Sequence, residues 1–184
     1  MNELSGLLQK YTGAQAGEAQ DSAHDDFEQI AQAAPQPAVA DGLAAAFRSD
    51  QTPEFGQMTS NLFSNSNPQQ RAGLLNTLIK YAGPAILARV MSGGGGGGGA
   101  AGGGGLSSLI NLFKGGAQEV TPEQAAQIPP EAVGQVAEQA EKHDPSIIDH
   151  ISNFYSEHPT LVKSLGTAAL TIALAKIAQR QYGG

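Results

Sequence analysis

Apolar residues along this chain recur at helical spacing, and strand-like alternation is nearly absent. Leu4, Leu7, Leu8 and Tyr11 form one stripe, predicting a helix over Asn2 to Thr12 with Asn2 as N-cap and Gly13 as stop. A polar stretch rich in Gly and Ala runs to Asp21. The next helix starts at Asp21 or Ser22, carries Phe27, Ile30, Ala31 and Ala34 on its apolar side, and ends at Pro35. Val39, Leu43 and Phe47 predict a helix opened by Pro37, and Phe55, Met58, Leu62 and Phe63 another opened by Pro53. Ser64 to Asn67 breaks that helix, and Pro68 starts one carrying Leu74, Leu75, Leu78, Ile79 and Tyr81. Gly83-Pro84 interrupts it before a short apolar segment to Met91.

The second half has the same grammar. Leu106 to Lys114 reads as a helix stopped by Gly115-Gly116. Thr121-Pro122-Glu123-Gln124 has the N-cap, first-turn proline and reciprocal glutamine of a capping box. Glu131 to His143 follows, with Val133, Val136, Ala137 and Ala140 inward. Asp144-Pro145 then serves as cap and first turn for a helix bearing Ile147, Ile148, Ile151, Phe154 and Tyr155 on one face. The last helix is predicted from Pro159 to Gln181, and its apolar residues wrap much of its circumference. A helix of that kind is normally buried at the centre of a bundle.

Between the halves lies Gly93 to Gly105, built only of Gly and Ala. Such a stretch brings no side chains to a core and loses the most backbone entropy on ordering. It does not match a P-loop, which ends in Gly-Lys-Ser/Thr after a strand, or a Rossmann loop. It reads as a flexible linker. The flanks can be laid over each other in order. Leu4 to Gly13 matches Leu106 to Gly115 without a gap, Ala38-Val39 matches Ala132-Val133, Ser60 to Ser64 matches Ser152 to Ser156, and Leu87 to Val90 matches Leu174 to Ile177. These matches predict an internal duplication: a helical copy over 1–92, the linker over 93–105, and a second copy over 106–184.

Charge repeats with the motifs. Residues 14–67 carry eight acids and one base, Arg48, whereas 68–92 carry Arg71, Lys80 and Arg89 and no acid. Residues 119–158 again carry eight acids and one base, Lys142, before Lys163, Lys176 and Arg180 follow without an acid. Each half is therefore acidic first, then basic and apolar, and its acidic helices are expected to pack around its own last segment. The net charge of −7 argues against a nucleic-acid partner, since phosphate contacts need clustered Lys and Arg. The absence of cysteine excludes disulfides, thiolate metal sites and cysteine nucleophiles.

Candidate chemistry is sparse. His143, Asp144, Asp149, His150, Glu157 and His158 form the densest group of potential metal ligands, but their spacing matches no zinc motif and reads as a hydrated acidic surface with helix caps. No nucleophile elbow occurs, so no catalytic, cofactor or metal residue is assigned. The basic, apolar segments 68–91 and 159–181 are the most suggestive features. As a self-association or partner surface they single out Leu161, Leu165, Ala169, Ile172, Ala173 and Ile177. The alternative is a lipid-surface helix with cationic edges. A transmembrane span is not expected, because the apolar stretch between Lys163 and Lys176 would reach only ~18 Å against a hydrocarbon core of ~30 Å.

Leu106-Ser107-Ser108-Leu109-Ile110, Val120-Thr121-Pro122-Glu123-Gln124 and the helices to Leu165 resemble uncharacterised bacterial helical proteins and, distantly, the YidB-like family. The resemblance covers about a third of the chain and implies a bacterial helical protein with no established activity. The expectation is an all-α protein of two related small bundles. It is non-enzymatic, without cofactor, and partnered by itself or by another protein, with peripheral membrane contact as the alternative. The start of the chain lacks the pattern of a secretory signal, which points to the cytoplasm.

Overall fold

The computed structural model describes residues 3–11, 22–91 and 119–182, and these are all-helical with no strand among them. The helices are α1 (Glu3–Gln9), α2 (Ala23–Ala33), α3 (Gln36–Phe47), α4 (Phe55–Asn65), α5 (Pro68–Met91), α6 (Pro122–Ala126), α7 (Pro130–His143), α8 (Ile147–Ser156), α9 (Pro159–Val162) and α10 (Thr167–Tyr182). The glycine run 93–105 and the expected helix over 106–114 lie outside the described residues.

Local signals explain most boundaries. Asn67 and Gln70 satisfy each other's backbone N–H groups (3.0 and 2.9 Å) at the start of α5, just before and after Pro68. Thr121 and Gln124 do the same at α6, where the capping box read from the sequence is present. In both, two N–H groups without helical partners are satisfied reciprocally. Gly83 leaves the helical region inside α5, with φ 71° and ψ 167°. Its successor Pro84 has no N–H to donate and disfavours helical geometry before it, and glycine accepts positive φ without strain.

The last helix differs from expectation. It is two helices, α9 and α10, separated by Lys163–Gly166. Ser164 donates both its N–H (3.0 Å) and its hydroxyl (2.7 Å) to the Leu161 carbonyl, which closes the chain into a turn. A side chain that bonds to nearby backbone competes with helix continuation, and Gly166 adds its own entropic penalty. Leu165 is tucked into the core at this turn.

The described helices form two compact units whose bounds are not those of the sequence halves. Unit 1 comprises residues 1–53 with 148–184, and unit 2 comprises 54–147. In unit 1, α2 and α3 pack against α10, α9 lies on α2, and α1 rests on α2 and α10. In unit 2, α7 packs against α4 and α5, and α6 against α5. The acidic helices therefore do not wrap the last segment of their own half. The last segment of the second half, α10, is covered by α2 and α3 of the first. An apolar helical face specifies burial but not which chain segment buries it.

Candidate functional site

The six residues singled out for self-association sit on α9, α10 and the turn between them. Leu161, Leu165, Ala169, Ala173 and Ile177 are buried, and Ile172 is half-buried. The surface read from the sequence is thus internal to unit 1, where these side chains form part of its core. Fully burying a side chain such as Ile177 contributes about 1.5–3 kcal/mol. The contact also depends on Gly42 of α3. A Cβ at that position would lie 2.7 Å from the Ala173 carbonyl oxygen and 2.8 Å from Ile177 Cγ1. Only glycine lets the two backbones approach so closely.

Charge follows the same pairing across the halves. Lys163 pairs with Glu28 of α2, and Arg180 with Asp41 of α3. Arg48, just after α3, makes a bidentate contact with Asp149 of α8 (2.9 and 2.8 Å). At the opposite ends of those two helices, Gln36 donates to Glu157 (3.1 Å). These contacts tie opposite ends of α3 and α8, which run antiparallel. Each ion pair is partly exposed and contributes about 0–1 kcal/mol, so their value lies in register more than in stability.

Unit 2 carries a matching close approach. A Cβ on Gly134 of α7 would lie 2.8 Å from the Gly56 carbonyl oxygen, and a Cβ on Gly56 of α4 would lie 2.6 Å from that of Gly134. Asn76 of α5 reads the backbone of the segment before α6: its Oδ1 accepts from Val120 N–H (2.7 Å) and its Nδ2 donates to Val120 C=O (3.3 Å). Arg71 closes the end of α4. Its Nε donates to the carbonyls of Phe63 and Ser66 (3.0 Å each) and its Nη2 to Ser64 (2.8 Å), while the guanidinium stacks over the Phe63 ring. A cation there also meets the negative end of the helix dipole.

A buried polar contact joins the end of α1 to α2. Asp26 accepts from the Tyr11 hydroxyl (2.9 Å) and the Ser22 hydroxyl (2.9 Å), with Lys10 Nζ at 3.5 Å. Both Tyr11 and Asp26 are buried. Burial, first of all, pushes the Tyr11 phenol up to about 12; the hydrogen bond to Asp26 and its charge act the same way, against the opposing hydrogen bond with Ser22. The Glu123 carboxyl, in the first turn of α6, is held below its ordinary value by its backbone hydrogen bond and by Thr121.

The histidine-rich stretch does not converge. Among the described residues no three His, Asp or Glu side chains form a group that could hold a metal ion. Asp149 and Glu157 face Arg48 and Gln36, Asp144 Oδ1 accepts from Ser146 N–H (3.0 Å), and His158 packs edge-on to Phe154. Among the described residues no helix is long and apolar enough to cross a membrane.

Sequence reasoning missed the glycine crossings, Arg71 and Asn76. The glycines had a signal: Gly42, Gly56 and Gly134 interrupt otherwise helical patterns without a stop nearby, which marks close backbone approach. Arg71 and Asn76 had none, because their partners are backbone groups outside their own helix. Comparison with protein-family models, curated proteins and solved structures gives no match to the chain.

Proposed function

We propose that this is a non-enzymatic helical structural or interaction protein of bacterial type, built by duplication of one helical unit, that self-associates through its apolar helices. The observation that carries the proposal is the mixed composition of both units. By the sequence matches, α3 corresponds to α7, α4 to α8, and α5 to α9 with α10. Unit 1 holds α3 of the first half with α8 and α10 of the second, and unit 2 holds α7 of the second with α4 and α5 of the first. The same combination of equivalent helices thus recurs, as expected of a duplicated unit whose apolar face is made to bind its sister.

The interface between the halves is of core quality, with close backbone crossings and buried Leu, Ile and Ala. Surfaces of this kind act in recognition and assembly, and the resemblance to the YidB-like family is compatible with such a role. The lipid-surface alternative lacks comparable support. The apolar face of α10 lies under α2 and α3, and Lys163 and Arg180 are taken up by carboxylates.

Light scattering across a concentration series tests the proposal. A mass rising above that of one chain is expected. A mass that stays at one chain up to the highest soluble concentration contradicts it.

A further inference from the structure

Both units need residues from either side of the segment 92–118. In unit 1, α3 from before it meets α10 from after it; in unit 2, α5 from before it meets α7 from after it. Each side of the chain is therefore half of two units, and the other side supplies the complement. A second copy carries the identical complement. Every contact across the divide, including Asp41 with Arg180, the Gly42 approach to Ala173 and Asn76 with Val120, can be made with that copy without any new surface.

We propose that two copies of this chain exchange halves. The helices up to α5 of one copy assemble with those from α6 onward of the other, and reciprocally. This rests on the self-association proposed above and names its mode. No unmet apolar face is required, since the occupant of each groove is the segment that fills it within one chain. The charges select the same occupant: Lys163 and Arg180 of the second half face Glu28 and Asp41 of the first.

Mass action sets the balance. Partners joined within one chain by a short tether meet at an effective concentration in the millimolar range. The closed monomer therefore dominates in dilute solution. Exchange grows when chains refold together at high concentration, and it persists afterwards because reversal requires opening the buried contacts of both units.

The chain has no cysteine, so introduced thiols report cleanly. Asp41 and Arg180 are both about half-exposed and face each other between α3 and α10. Asp41→Cys and Arg180→Cys variants, prepared singly and as a double variant, are treated with a short bis-maleimide. The double variant, refolded dilute, should give an internal adduct at the mass of one chain. The two single variants, unfolded and refolded together, should give a mixed adduct at the mass of two chains, well above the adduct each gives alone. A tenfold rise in chain concentration during refolding should raise its share by about tenfold while the monomer dominates, as expected for a dimer competing with a closed monomer.

Two-chain particles by light scattering without the mixed adduct would overturn exchange and leave self-association through another surface standing. One-chain particles throughout would overturn both. Failure of the double variant to give the internal adduct would overturn the pairing of α3 with α10, and exchange with it.

Discussion

Gly134→Ala places one methyl group where α7 crosses α4. The added Cβ would sit 2.8 Å from the Gly56 carbonyl oxygen and 3.1 Å from Ser60 Cβ, against an ordinary contact of 3.4–4 Å. The nearer atom is backbone, so no rotamer change relieves it and the helices must separate by roughly half an ångström along a packed face. Overpacking of this kind costs about 1–3 kcal/mol, while replacing a mid-helix glycine by alanine returns about 1 kcal/mol of helix propensity. The net expectation is a loss of up to about 2 kcal/mol, or a fall in Tm of up to about 8 °C for a chain of this size. Thermal unfolding followed by circular dichroism reads it directly. Gly56→Ala should behave alike, and the double variant should lose less than the sum, because one separation of the helices accommodates both methyls. Gly6→Ala is the control: Gly6 is exposed in α1 and a Cβ there meets nothing within 4 Å, so that variant should be neutral or slightly stabilised. A Gly134→Ala protein more stable than the parent by the full helix-propensity gain of about 1 kcal/mol would refute the close crossing.

Three further outcomes follow from single side chains. Arg71→Ala removes hydrogen bonds to three carbonyls at the end of α4 and should cost about 1–3 kcal/mol in chemical denaturation, with Arg71→Lys recovering only part, since an ammonium cannot reproduce the planar fork. Asn76→Leu leaves Val120 N–H and C=O without their side-chain partner and should cost about 1–3 kcal/mol; hydrogen exchange at the Val120 amide should accelerate with it. Tyr11 titrates higher folded, at about 12, than its unfolded value of 10.0. Its contribution is therefore fully present below pH 10 and lost as pH rises toward 12. Stability measured across that window should fall more steeply in the parent than in Tyr11→Phe, and equal slopes would contradict the buried phenol.

The helices were largely legible in the sequence, because they depend on neighbours within four residues. The Thr121 capping box, the Gly83 break and the buried faces of α7 and α8 follow from local spacing and backbone chemistry. The break before α10 was not read, since the Ser164 hydroxyl bond to Leu161 competes with an apolar pattern that continues through it. The last segment was legible as buried, from apolar residues that wrap much of its circumference, but what covers it was not. Leu161 to Ile177 would show the same periodicity whether α2 and α3, the helices of its own half, or a separate molecule covered them. Charge carried a partial signal. The alternation of acidic and basic segments shows that opposite charges meet, while Glu28 with Lys163 and Asp41 with Arg180 depend on which half folds onto which. Shape at Gly42 favours that pairing, since a missing methyl group there admits α10.

Each compact unit is made of helices from both sides of the glycine run. Cutting the folded, full-length chain within Gly93 to Gly105, at an introduced protease site, tests it in one step. Interleaved halves should stay together after cleavage, co-eluting at the mass of the intact chain with unchanged helical signal and separating only in denaturant. Two helical pieces eluting apart under native conditions, each near half the mass, would contradict it.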